Sequence, residues 1–147
     1  MSHALIVLPD DTSKPILDAI NGATKSLNIR MFLFTDETLL RSVIAAHDRG
    51  VKVRVMLNPA RRSGKTENTA TAKKLKAAGI DVKDSNPAFD VTHEKSMVVD
   101  DRVAFVQSLN WDVKNLEGTR DYAVVTDDKR EGIQAFVEKR PAQFSGQ

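Results

Sequence analysis

His93 and Lys95, followed by Ser108 and Asn110, are the residues whose types and spacing could do chemistry in this chain. An imidazole can attack phosphorus or move a proton. An ammonium, a hydroxyl and a carboxamide together suit a cluster of anionic oxygens. A lone histidine at a strand end is ordinarily just solvated; the joint spacing argues for more. Two apolar runs, 97–99 and 103–106, flank Asp100-Asp101-Arg102, which reads as a hairpin of buried strands around a tight polar turn. Alternation puts His93 and Lys95 on one face, and Ser108 and Asn110 on one face. A two-residue loop is the expectation. With Asp100 paired to Val103, His93 lies opposite Asn110 and Lys95 opposite Ser108; with Val99 paired to Arg102, the partners shift by two but still share a face. A three-residue loop would set His93 opposite Leu109 and scatter the four groups.

The spacing resembles the signature of the phospholipase D superfamily: His-x-Lys, four residues, Asp, six residues, Gly-Ser-x-Asn. His93, Lys95, Asp100, Ser108 and Asn110 all fall on it. Gln107 stands where the family has Gly. By alternation it faces away from His93, which reads as a change of packing and not of chemistry. The resemblance runs from about Ser26 to Thr126, through Asp48-Arg49-Gly50-Val51 before a strand and Gly79-Ile80 before the His-x-Lys strand.

That resemblance implies a metal-independent phosphodiesterase with no cofactor. His93 would attack phosphorus and form a phosphohistidine, and a second His would protonate the leaving oxygen and then activate water. Lys95 and Asn110 would hold non-bridging oxygens, with Ser108 in support. Asp100 belongs to the signature, although a turn carboxylate more simply bonds nearby N–H groups. Asp121 would accept a hydrogen bond from the imidazole, with Glu117 as fallback. Only one motif is present, so the partner is either a second copy in a twofold homodimer or a missing second half. The substrate reading is nucleic acid, with phospholipid as the alternative, and a non-catalytic phosphate-binding module remains a different class.

The elements that must position these residues alternate. Residues 4–8, 26–35, 51–57, 80–83, 97–99, 103–106 and 121–126 read as strands, and 13–23, 36–49, 67–78 and 129–139 as helices. Thr35 is the expected cap of the second helix. Residues 111–120 read as a polar connection, with Trp111 packed. The fold class is α/β: a mixed β-sheet flanked by helices on both faces, half of a phospholipase D-type fold. Residues 1–140 form one domain and 141–147 a tail.

Pro59 to Thr66 ends in Gly-Lys-Thr after a strand, as a P-loop would, but Pro59 replaces the first Gly and has no N–H to offer phosphate. Arg61, Arg62 and Lys65 instead form a candidate basic rim for an anionic polymer or headgroup. His47 is read as a helix-face residue. At 147 residues with 29% charged and 41% hydrophobic residues, the chain reads as a soluble globular protein. A net charge of +2 does not by itself announce a nucleic-acid binder. The absence of cysteine excludes disulfides and thiolate metal sites, and three scattered histidines do not build a histidine metal centre. No signal-peptide or membrane-spanning run stands out, so a cytoplasmic location without stable membrane insertion is expected.

Overall fold

The computed structural model describes residues 3–60 and 64–127. Seven strands form one mixed sheet: β1 (His3–Leu8), β2 (Ser26–Met31), β3 (Lys52–Leu57), β4 (Asp81–Asp84), β5 (Lys95–Val99), β6 (Val103–Gln107) and β7 (Asp121–Thr126). Their order is β1-β7-β6-β5-β2-β3-β4. β2, β3 and β4 run parallel, and every pairing on the other side of β2 is antiparallel. Among the described residues four helices connect them: α1 (Lys14–Asn21), α2 (Glu37–Asp48), α3 (Thr69–Ala77) and α4 (Val113–Gly118).

One face of the sheet carries the core. Leu27, Ile29 and Met31 alternate inward on β2, and Val53, Val55 and Leu57 do so on β3. Met97, Phe105 and Ala123 continue that layer across β5, β6 and β7. Ile16 and Ile20 of α1, Leu40 and Val43 of α2, Leu75 of α3 and Leu116 of α4 all join the same cluster. The described helices therefore cover this one face. On the other face Val98 and Ala104 form a small separate contact, and Val106, Tyr122 and Val124 are exposed. The helix read at 129–139 and the tail at 141–147 lie outside the described residues. Among the described residues no helix is long and apolar enough to cross a membrane.

Three local readings change. Asp36, not Thr35, caps α2: its carboxylate accepts from Leu39 N–H at 2.9 Å. The connection at 111–120 contains α4, capped by Asp112, which accepts from Asn115 N–H at 2.8 Å. A six-residue helix has too few turns to show helical periodicity in sequence.

The hairpin loop holds three residues, since Val99 pairs with Val103. Asp100 is drawn out of the ladder. Its N–H donates to Ser26 O at 2.8 Å, and its carboxylate accepts from the N–H groups of Thr24, Lys25 and Ser26. Asp100 and Asp101 take the left-handed conformation, at φ 55° and 52°, which Asp tolerates better than most residues. Asp100 thus sits five residues along from Lys95, at the far end of β5, about 16 Å away by strand rise. It joins the hairpin to the start of β2 and takes no part in the His93 cluster, which corrects its place among the catalytic candidates.

Burial works against the Asp100 charge, but the N–H groups of Lys25, Ser26 and Thr24 and the Thr24 hydroxyl outweigh it and hold the carboxyl below its usual 3.8. A carboxyl held below its unfolded value stabilises the fold above that value and loses this as pH falls through the folded one. Asp100→Ala is expected to lower unfolding stability by about 2–4 kcal/mol at pH 7. The gap to wild type should close in acid, as urea titrations at several pH values can show.

Candidate active site

The site lies where β2 ends and β5 and β7 begin. Met31 pairs with Lys95, and one residue further on Phe32 N–H donates to Glu94 O at 2.9 Å. Lys95 therefore rises from the core face beside Met31, burying its aliphatic stem. It is only 6% exposed. Its Nζ lies 3.0 Å from His93 Nδ1 and 3.2 Å from Nε2, and donates to His93 O at 3.0 Å. The Phe32 ring closes one side, 4.4 Å from the His93 ring between centroids and 5.3 Å from Lys95 Nζ. A cation over a ring at that distance gains about 0.5–1 kcal/mol. Glu94 turns to the other face, where it meets Arg30 at 3.5 Å and accepts from Ser96 Oγ at 2.7 Å.

The return strand reaches the site by breaking off. β6 stops at Gln107, and Ser108 exchanges hydrogen bonds with Tyr122: N–H to Tyr122 O, and Oγ accepting from Tyr122 N–H, both at 2.9 Å. Ser108 Oγ also donates to Asp121 Oδ1 at 2.9 Å. The chain then crosses the start of β5 to reach the extension of β2. Trp111 N–H donates to Leu33 O at 3.0 Å, and Trp111 O accepts from Thr35 and Asp36 N–H at 2.8 Å each. Asn110 lies on this crossing. Its N–H donates to Asn115 Oδ1 at 2.7 Å, and its own Oδ1 is buried with no partner among the described residues.

The three-residue loop changes the pairing expected for His93. The register continued outward sets His93 opposite Leu109, but the pairing with β5 ends at Val106, Ser108 stays on β7 through Tyr122, and Trp111 docks beside Phe34, so β5–β6 alternation no longer decides where Leu109 and Asn110 point. The same register sets Gln107 beside Lys95, on the core face. The expectation that Gln107 turns away fails for that reason, while its packing role stands.

Asp121 joins through Ser108 and Lys95. Its second oxygen accepts from the Thr119 hydroxyl. Burial lowers the Lys95 pKa from its usual 10.5, and the Asp121 charge partly restores it. Asp121→Asn removes the restoring charge, so Lys95 should lose its proton at lower pH. The alkaline limb of any Lys95-dependent activity or anion affinity is expected to move to lower pH in this variant. A pH–rate or pH–affinity profile checks the sign.

Of the remaining candidates, Glu117 is exposed on α4, Lys65 is exposed, and Arg61 and Arg62 lie outside the described residues. Trp111 is fully buried against Phe34, edge to face at 4.9 Å, as a packed aromatic. Among the described residues no group of His, Asp and Glu could hold a metal ion.

The sequence reading missed Phe32, Asn58 and Asn68. Asn68 Oδ1 accepts from Phe34 N–H at 2.8 Å, while its Nδ2 donates to Phe32 O at 2.8 Å and Asn58 O at 2.9 Å. Asn58 Oδ1 accepts from Thr92 N–H at 2.9 Å, next to His93. Two amides thus tie the chain before His93 to the segment that carries Phe32. The only trace in sequence is that both asparagines flank the polar loop after β3.

A family described as "Cardiolipin synthase, PLD-like domain" matches residues 16–145. Human mitochondrial cardiolipin hydrolase is 33% identical over 125 residues, which cover 84% of this chain and 47% of that protein. A phospholipase D from Rickettsia prowazekii is 26% identical over 123 residues, 83% of this chain and 58% of its own length. The chain spans about half the length of the curated relatives it matches. Among solved structures, Nuc from Salmonella typhimurium, a phospholipase D family member, superposes with a TM-score of 0.80 at 25% identity, covering 94% of this chain and 90% of that one. With the sheet, the His-x-Lys pair and the family match in agreement, the chain belongs to the phospholipase D superfamily.

Proposed function

We propose that this chain carries one half of a metal-independent phosphodiester hydrolase or transferase site, with His93 as nucleophile. The observation that supports it most is the buried Lys95 ammonium held against the His93 imidazole. Placing a cation there is costly unless an anion is to be met.

A His93 nitrogen attacks phosphorus and forms a P–N bond as the bond to the leaving oxygen breaks. That oxygen takes a proton from a second imidazole. Water then attacks phosphorus, the P–N bond breaks, and the second imidazole receives the proton from water. Lys95 and the Asn110 carboxamide hold the non-bridging oxygens through both steps. Asp121 accepts from the Ser108 hydroxyl and supports the Lys95 charge.

The chain's other imidazoles stand elsewhere. His3 begins β1, at the opposite end from Leu8, which pairs with Asp121. His47 is near the end of α2 and packs against the Gly79 turn. The second imidazole therefore comes from another copy across a twofold axis, or from a second motif. Mass by light scattering and hydrolysis of bis(p-nitrophenyl) phosphate in EDTA test this together. An active dimer is the expected result, and loss of turnover in EDTA contradicts a metal-independent reaction.

Nucleic acid is the substrate class proposed, supported by the basic run of Arg61, Arg62 and Lys65 in the sequence between Asn58 and Asn68. Oligonucleotide affinity should fall steeply with salt, and less steeply after all three cations are replaced. A phospholipid reading is favoured by the relatives named as cardiolipin hydrolases. Headgroup release from anionic vesicles without oligonucleotide cleavage would select it.

A further inference from the structure

Gln107 is 8% exposed, and its Oε1 accepts from Trp111 Nε1–H at 3.1 Å. The bond spans the base of the turn that carries Ser108 and Asn110. At one end Ser108 is pinned to Tyr122, and at the other Trp111 is pinned to Leu33, Thr35 and Asp36. Between those two anchors the Gln107–Trp111 bond sets how far apart the turn's ends stand. The family signature has Gly here and cannot make this bond. Gln107 Nε2 and Asn110 Oδ1 are both buried without partners among the described residues. A side chain that leaves one amide atom buried and unpaired is kept against its desolvation cost.

We infer that Gln107 is a positioning residue: through the Trp111 indole it fixes the turn that presents Ser108 and Asn110 to the phosphate. This inference rests on the phosphodiesterase reading above. A misplaced oxygen-holding group weakens the transition state more than the ground state, so the effect falls on kcat and not on KM.

Trp111 is the chain's one tryptophan, so its indole N–H gives a single side-chain resonance. Gln107→Leu keeps the bulk and removes the acceptor, whereas Gln107→Glu keeps an acceptor oxygen. Hydrogen exchange at the indole N–H is measured on each, beside kcat and KM for bis(p-nitrophenyl) phosphate. The expected result for Gln107→Leu is indole exchange faster by tenfold or more and kcat lower by roughly tenfold at unchanged KM. Gln107→Glu should keep the protection and most of the kcat. Trp111→Phe should lower kcat alike, and the double variant should lose no more than either single one. The inference is overturned if Gln107→Leu keeps kcat within twofold, or if Gln107→Glu is as impaired as Gln107→Leu. A wild-type chain that neither turns over a diester nor binds vanadate overturns the underlying phosphodiesterase reading, and this inference with it.

Discussion

His93→Ala is expected to lower diester hydrolysis by about 10⁴-fold or more, the scale on which losing a covalent nucleophile acts. The fold should hardly notice. His93 is exposed and precedes β5, so the variant gives up the contacts of an exposed ring, with Phe32 and Lys95 Nζ among them, and leaves the apolar core in place. Its unfolding free energy should stay within about 1 kcal/mol of wild type. The pairing of a dead site with an intact fold separates a chemical role from a structural one. Steady-state kinetics and urea denaturation on the same preparation measure both. Residual turnover within tenfold of wild type contradicts the assignment.

Lys95→Met should move activity and stability in opposite directions. Removing the ammonium that meets the non-bridging oxygens is expected to lower kcat by about 10²–10³-fold. The same change relieves the fold of a desolvated cation and fills the space with an unbranched apolar chain. Lys95 does donate to His93 O and lies over Phe32, yet burial outweighs the help it receives from Asp121. The thermal midpoint is therefore expected to rise, as when a functional group is kept at the expense of stability. The sign with pH follows from a lysine pKa lowered in the folded state. The penalty is full below the folded value and fades as pH rises towards the usual 10.5. The advantage of Lys95→Met should thus shrink in alkaline buffer, which thermal melts across pH can follow.

Much of this architecture was legible because apolar spacing is a direct record of burial. Leu27, Ile29, Met31 and Val53, Val55, Leu57 announced β2 and β3, and Met97–Val99 and Val103–Val106 announced the hairpin. The site pair His93 and Lys95 was legible from a spacing of two. The loop length was not, because it depends on Asp100 leaving the ladder to bind N–H groups at residues 24–26, about 75 positions away in the chain. The route of Ser108 to Asn110 was hidden for a related reason. A strand that breaks off to dock Trp111 on β2 obeys a long-range contact and not a local period. Phe32, Asn58 and Asn68 were missed because nothing in their own neighbourhoods says that their partners converge on Thr92 and Phe34.

The most direct test is to catch the covalent intermediate. The chain is mixed with a phosphodiester, quenched within milliseconds in alkaline denaturant, which preserves phosphoramidates, and mapped by peptide mass. A substrate-derived phosphoryl adduct on the His93 peptide, rising and decaying at the turnover rate, is the predicted result. Steady turnover with no adduct, or with the adduct on any other residue, contradicts the account.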